Sequence, residues 1–297
     1  YVNLASGGQL PILAPNIDQA RLSPTQAVFS PIFPFILGGV QWIMITAIGA
    51  KILRRDAAPR YMYALAMVAG LLFLLIAVRS MLVLVGISCL MVAVSAGRVR
   101  LTQILSFALV GIILLGIAGQ LRVESSDPTG QKNAFLYTHD YNSLTGPIVQ
   151  SSATGPYVHS EALTQIPNGV PFQKGTFLFR DIRQQLPLHP FGTPLASDAW
   201  VTEEVIHKDQ ATNGGAPPTV IGGFYIDFGL GGVVVGCFLM GASLLLLGRW
   251  AIKASTLSAL VLYSYIAAYF VLSTYSYISV RPGWIVVVAL SLIAHRW

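Results

Sequence analysis

Apolar residues in this chain gather into long uninterrupted runs instead of alternating with polar ones. Phe33–Leu53 is the first run, closed by the basic stretch KILRRDAAPR. Tyr61–Gly97 follows, 37 residues broken only at Arg79-Ser80. A helix rises about 1.5 Å per residue, so this run is too long for one crossing of a bilayer. It predicts two helices, 61–78 and 81–96, hinged at the Arg-Ser pair. Leu101–Leu121, Gly231–Gly248 and Leu257–Val280 are further runs of spanning length. The tripeptide RPG then breaks the chain, and Trp284–Ala294 reads as an incomplete helix where the sequence ends. Crossing about 30 Å of hydrocarbon takes roughly 20 apolar residues in a helix, which the long runs supply.

Residues 122–219 are different in kind. They carry Gly, Pro, Ser, Thr and Asn throughout and no long apolar run. The pattern predicts an all-α polytopic membrane protein. It has an outer segment over 1–32, about four transmembrane helices over 33–121, one large loop over 122–219, and about three helices over 220–297.

Composition agrees. Of 297 residues, 54% are hydrophobic and 10% charged, and the mean hydropathy is +0.66. Soluble domains carry about 25% charged residues. A net charge of +6 raises the question of nucleic acid. The basic residues answer it, because they sit in short clusters between apolar runs, as membrane topology demands. With 33–53 ending in the cytoplasm, Lys51, Arg54, Arg55, Arg60, Arg98, Arg100, Arg249, Lys253 and Arg296 all fall inside. The 98-residue loop, Arg79 and Arg281 fall outside, with eleven of the twelve acids, Asp56 being the exception. The chain starts at Tyr1 without a signal-peptide pattern, so earlier transmembrane segments are expected to precede it. Cys89 and Cys237 lie inside apolar runs and read as small core residues. No nucleotide-binding glycine loop, zinc-spaced Cys/His cluster or nucleophile elbow is present in the sequence, so neither cofactor nor metal is expected.

A few polar residues need an account. Arg79 interrupts apolar sequence, where a charge costs a few kcal/mol or more. It is either a snorkelling arginine at the interface or an anion-binding arginine facing a cavity. Arg281 repeats the pattern on the same side, ahead of Pro282-Gly283. A planar guanidinium suits phosphate because it donates in pairs and keeps its charge.

In GTFLFRDIRQQLPLHPFG, residues 175–192, the apolar positions 177, 178, 179, 182 and 186 fit one face of an amphipathic helix. Arg180 and Arg183 share a face of it, as a solvated surface or as phosphate ligands. His189, before Pro190, ends that helix. Of the loop histidines His139, His159, His189 and His207, the second pair lie nearer the motifs and are the better candidate bases. The acidic group Asp198, Glu203, Glu204 and Asp209 is a carboxylate supply or plain loop surface.

Asp227 stands alone at the outer end of an apolar helix, two residues after Tyr225. It reads as a helix-start carboxylate favoured by the dipole, as a hydroxyl-binding or base carboxylate, or as the partner that aims an arginine. Gly222, Gly223 and Gly229 allow close approach of backbone or lipid.

Four stretches together resemble the O-antigen polymerase family of oligosaccharide repeat-unit polymerases, relatives of the O-antigen ligases. GGQLPILAPNIDQAR resembles the family's Gly-Ile-Pro-Leu-Leu stretch that runs into an arginine, here Arg21. AVRSMLVLVGI is similar to its Arg-Ser or Arg-Thr at the start of an apolar helix, here Arg79. LPLHPFGTPL resembles the Pro-Phe-Gly turn of the main outer loop. PPTVIGGFYIDFGLGGVVVG resembles the stretch where the chain returns to the membrane. The resemblance implies a multispanning, GT-C-like glycosyltransferase of the bacterial inner membrane with a periplasmic catalytic loop. It would join glycan repeat units carried on undecaprenyl pyrophosphate into O-antigen lipopolysaccharide or capsule.

A flippase and a chain-length regulator are partners the family implies; nucleic acid is not. Breaking a sugar–pyrophosphate bond leaves negative charge on the leaving group, and fixed cations stabilise it. That points to Arg79, Arg180 and Arg183 with Asp227 and His189 as catalytic, and to Arg21, Arg281, Tyr225, Gly222 and Gly223 as substrate-binding. The ligase relatives place a histidine just before the returning helix, where this chain has Pro217-Pro218-Thr219. That departure argues against a ligase. A lipid-linked oligosaccharide flippase or permease would show midplane charges and paired repeats, and the sequence has neither. A non-catalytic membrane component of a polysaccharide complex is the fourth reading.

Overall fold

A computed structural model describes residues 33–53, 60–75, 79–97, 99–100, 102–103, 106, 146–180, 183, 195, 197–207, 217–274 and 282–296. Among these residues every regular element is helical. In chain order they are α1 (Phe33–Ile52), α2 (Arg60–Leu75), α3 (Arg79–Ser95), α4 (Gly146–Gln165), α5 (Ser197–Trp200), α6 (Val220–Ala254), α7 (Leu257–Ser273) and α8 (Pro282–Arg296). A π-helical turn, Val201–Val205, continues directly from α5. The chain forms two compact units, one of residues 1–112, 243–269 and 282–297, the other of 113–242 and 270–281.

The first unit is a helical bundle in which α1 packs against α2, α3 and α8. The sequence dictates this centrality. No charge falls within α1 before Lys51, which sits in its last turn, where the helix dipole favours a cation. Gly38 lets α8 touch it, because a Cβ at that position would stand 2.4 Å from the Gly283 carbonyl oxygen. Polar atoms inside the bundle find partners there. The buried Gln41 donates to Met81 Sδ at 2.7 Å and accepts from the Tyr265 hydroxyl at 3.1 Å. Trp42 Nε1 donates to Ser291 Oγ at 3.0 Å. Where hydrocarbon surrounds a bundle, such interhelical bonds replace the hydrophobic effect as a source of specificity.

The helix ends follow local chemistry. α3 stops at Ser95, and Gly97 takes the left-handed conformation, φ +63°, that commonly follows a helix end. α6 and α7 are joined by Ser255 and Thr256 alone, and Thr256 Oγ1 caps α7 by accepting from Ala259 N–H.

Among the described residues two helices are long and apolar enough to cross a membrane, Phe35–Ile52 and Val220–Ala254. Only 6% of the most apolar window of the second is buried, and Leu230, Val234, Phe238 and Ile252 are all exposed. A helix that presents so many large apolar side chains outward is built for lipid. Met81–Ser95, Leu257–Ser273 and Gly283–His295 are shorter apolar helices. Within the run 61–97, α2 ends at Leu75, residues 76–78 lie outside the described residues, and α3 begins at Arg79, so Arg79-Ser80 belongs to a helix where the sequence predicts a hinge. The predicted span 101–121 lies outside the described residues apart from isolated positions.

The second unit has a core of its own. Val158 and Ala162 on α4, Ile166 just after it, Val170, Phe177, Trp200, Val201, Val205 and Ile206, and Ile226 on α6 form one buried cluster. α4 falls within the stretch expected to be loop. Its Ser/Gly/Pro-rich sequence hides it, yet Val158, Ala162 and Ile166 recur every four residues, the spacing of one helical face.

Candidate functional site

α6 carries the site, and Gly229 makes it possible. At φ +66° and ψ −157° this residue interrupts an otherwise continuous helix. In an unbroken helix the carbonyls of residues 226 and 227 would accept from the N–H groups of residues 230 and 231. Here they accept from the loop: Gln173 N–H bonds the Ile226 carbonyl and Lys174 N–H the Asp227 carbonyl, each at 3.0 Å. The Phe172 ring fills the space that a side chain on Gly229 would occupy, with its nearest carbon 3.1 Å from an ideal Cβ.

The Asp227 side chain completes the clasp. Its Oδ1 accepts from Gly175 N–H at 2.8 Å and from Phe177 N–H at 3.1 Å. Its Oδ2 accepts from Leu178 N–H at 3.0 Å. The turn is shaped for this, because Lys174 and Gly175 have φ of +51° and +90°, which points successive N–H groups into one concavity. Asp227 is buried, two turns inside α6, with no acid in the first turn of that helix. The dipole reading of Asp227 therefore gives way to a loop-holding one. Tyr225 adds a bond from its hydroxyl to the Ile166 carbonyl at 3.1 Å.

The clasped turn leads directly to the arginines. Residues 174–179 are turns, with helical geometry at Arg180 and Arg183. Phe177 is fully buried while Phe179 is exposed, so the two do not share a helical face, and the amphipathic helix expected from residue 175 is corrected to a turn followed by a helical start. Arg180 and Arg183 are half-buried and fall on one turn. The Arg180 guanidinium lies 4.9 Å from the Trp200 ring centroid, a cation–π contact. Its charge also acts on the Asp227 carboxylate. One carboxylate thus fixes the backbone that presents Arg180 against an aromatic face.

At the other end of this stretch Gly222 faces α4. A Cβ there would lie 2.9 Å from His159 Cδ2, so the imidazole rests against the α6 backbone. His159 Nε2 is hydrogen-bonded to Thr219 Oγ1 at 2.5 Å, and burial lowers its pKa from the usual histidine value. The sequence ranks His159 below His189 and His207, because its partner Thr219 lies 60 residues away. Gly223 is buried in the first turn of α6 and donates to the Thr219 carbonyl. His207 is exposed.

Arg21, His189 and Arg281 lie outside the described residues, as does His139. Arg79 is the first residue of α3, and its side chain is not among those described. Among the described residues no group of three or more His, Cys, Asp or Glu side chains is placed to hold a metal.

A helical protein with two helices apolar enough to cross a membrane among the described residues, and a clasped arginine pair bonded to one of them, is the class that these elements define. Residues 173–291 match the family model described as "Putative O-antigen polymerase". The match covers 119 of the chain's 297 residues. It begins at Gln173, the first residue of the clasp, and runs through α6 and α7 into α8. No curated protein and no solved structure matches the chain.

Proposed function

We propose that this protein is a polysaccharide polymerase of the bacterial inner membrane that uses polyprenyl-pyrophosphate-linked oligosaccharide as donor. It transfers the growing glycan from its lipid pyrophosphate to a hydroxyl on a single lipid-linked repeat unit, with the large loop in the periplasm. The observation that carries this reading is the clasp. Asp227 and the Gly229 kink hold the turn that presents Arg180 and Arg183, and the family match starts where that turn starts. Arg180 and Arg183 stabilise the pyrophosphate as it leaves, which a guanidinium does without proton bookkeeping. Asp227 acts through them as a positioning residue. Arg79, Arg21 and Arg281 supply further cations to the donor by the family resemblance. The chemistry uses no metal.

Glycan polymerisation in cells lacking their own polymerase, complemented with the full-length parent, tests this. Wild type makes a ladder, while Arg180→Ala and Arg183→Ala at equal membrane levels stop at one repeat unit. Arg79→Ala behaves as they do if it binds donor, and leaves the ladder intact if it is an interface anchor. A ladder from both loop-arginine variants contradicts the assigned site.

A further inference from the structure

Three features meet at the start of α6. Thr219 immediately precedes the helix, where a threonine hydroxyl ordinarily accepts from the first-turn N–H groups. Its hydroxyl bonds His159 instead. Thr219 holds φ at +24°, where a β-branched residue is strained and which persists only when the surroundings enforce it. Gly222 removes the one Cβ that would push the imidazole away. Thr219 is buried whereas His159 is half-exposed, with the Nε2 edge of its ring against Thr219 and Gly222.

We infer that His159, oriented by Thr219, is the base that takes the proton from the acceptor hydroxyl; this rests on the polymerase reading above. Nε2–H donates to Thr219 Oγ1, which leaves the lone pair on Nδ1. The acceptor O–H bond breaks and its proton goes to Nδ1. The oxygen's electron pair forms the new C–O bond at the anomeric carbon of the donor. The bond from that carbon to the pyrophosphate oxygen breaks, and the pyrophosphate leaves with the electron pair. His159 then releases its proton to water.

The spacing suits the step. Thr219 and Asp227 are eight residues apart, roughly 12 Å along a helix, so the base and the arginine-bearing clasp are held by one stretch of chain. Burial keeps the ring neutral near pH 7 and ready to accept. On α4, Tyr157 and Glu161 are the titratable groups nearest His159 in sequence, two residues to either side. Thr219, just before α6, and Gly222 on it are the residues that meet the ring, and neither titrates.

The full-length protein in nanodiscs, supplied with its purified polyprenyl-pyrophosphate-linked repeat unit, gives the test. His159→Gln keeps a donor for Thr219 but cannot take a proton. It should lower kcat by roughly 100-fold or more with KM unchanged. It should also abolish the fall in rate on the acid side of the pH profile. Added imidazole should restore His159→Ala. Thr219→Ser should keep activity and Thr219→Val lose it, a pair that decides the matter if the His159 variants lose their thermal transition. Elongation by His159→Gln at the wild-type rate, or equal rates for Thr219→Ser and Thr219→Val, overturns the inference alone. Absence of any polymer from wild type overturns the polymerase reading beneath it as well.

Discussion

Asp227 and Gly175 stand 52 residues apart in sequence, yet the carboxylate of one accepts the N–H of the other at 2.8 Å. Two more N–H groups, of Phe177 and Leu178, point at the same carboxylate. A membrane helix is thereby bonded to the loop that carries two arginines. Asp227→Ala strips three buried or half-buried donors of their acceptor, each costing about 1–3 kcal/mol. Thermal unfolding of the purified protein should fall well below wild type, and protease should nick the 173–183 turn. Asp227→Asn keeps one acceptor oxygen and should fall between the two. An unchanged transition in Asp227→Ala would mean that the clasp contributes nothing to stability.

Gly38 and Gly241 separate packing from helix propensity. A methyl on Gly38 meets the Gly283 backbone, which cannot rotate away as a side chain can. One on Gly241 meets nothing within 4 Å. Gly38→Ala should therefore force α1 and α8 apart and lower the melting temperature. Gly241→Ala should leave it level or raise it, since alanine favours a helix by about 1 kcal/mol over glycine. Equal effects of the two would contradict the close α1–α8 contact.

Acid should weaken the second unit through His159. Its pKa is lowered by burial, so the folded ring resists a proton that the unfolded chain accepts. Above the unfolded value of about 6.5 both states are neutral and no stability is lost. As pH falls through that value the unfolded state gains the proton first and stability declines, levelling off below the folded pKa. Melting temperature against pH should show this fall in wild type and not in His159→Gln. Parallel curves would exclude the imidazole as the cause.

The apolar helices were legible because a helix that can cross a membrane needs a long apolar run, which α1 and α6 have among the described residues. The run from Gly231 matches the part of α6 that follows the Gly229 kink, and the helical part before the kink was hidden because Gly222, Gly223 and Gly229 look like a loop. α4 was hidden by its serines, its glycines and Pro156. The role of Asp227 could not be read from local sequence, since its three partners come from residues 175–178. The same holds for His159, whose partner Thr219 lies 60 residues away. Local pattern records helices, whereas a site assembled across 50 residues leaves no periodic trace.

Product length in a purified reaction bears most directly on the central claim. The full-length protein alone, in nanodiscs, is given its polyprenyl-pyrophosphate-linked repeat unit, and the lipid-linked glycan is sized over time. A ladder that grows by whole repeat units, and that Arg180→Ala abolishes, is the predicted result. A repeat unit that stays single, or that moves only to an acceptor other than another repeat unit, would contradict it.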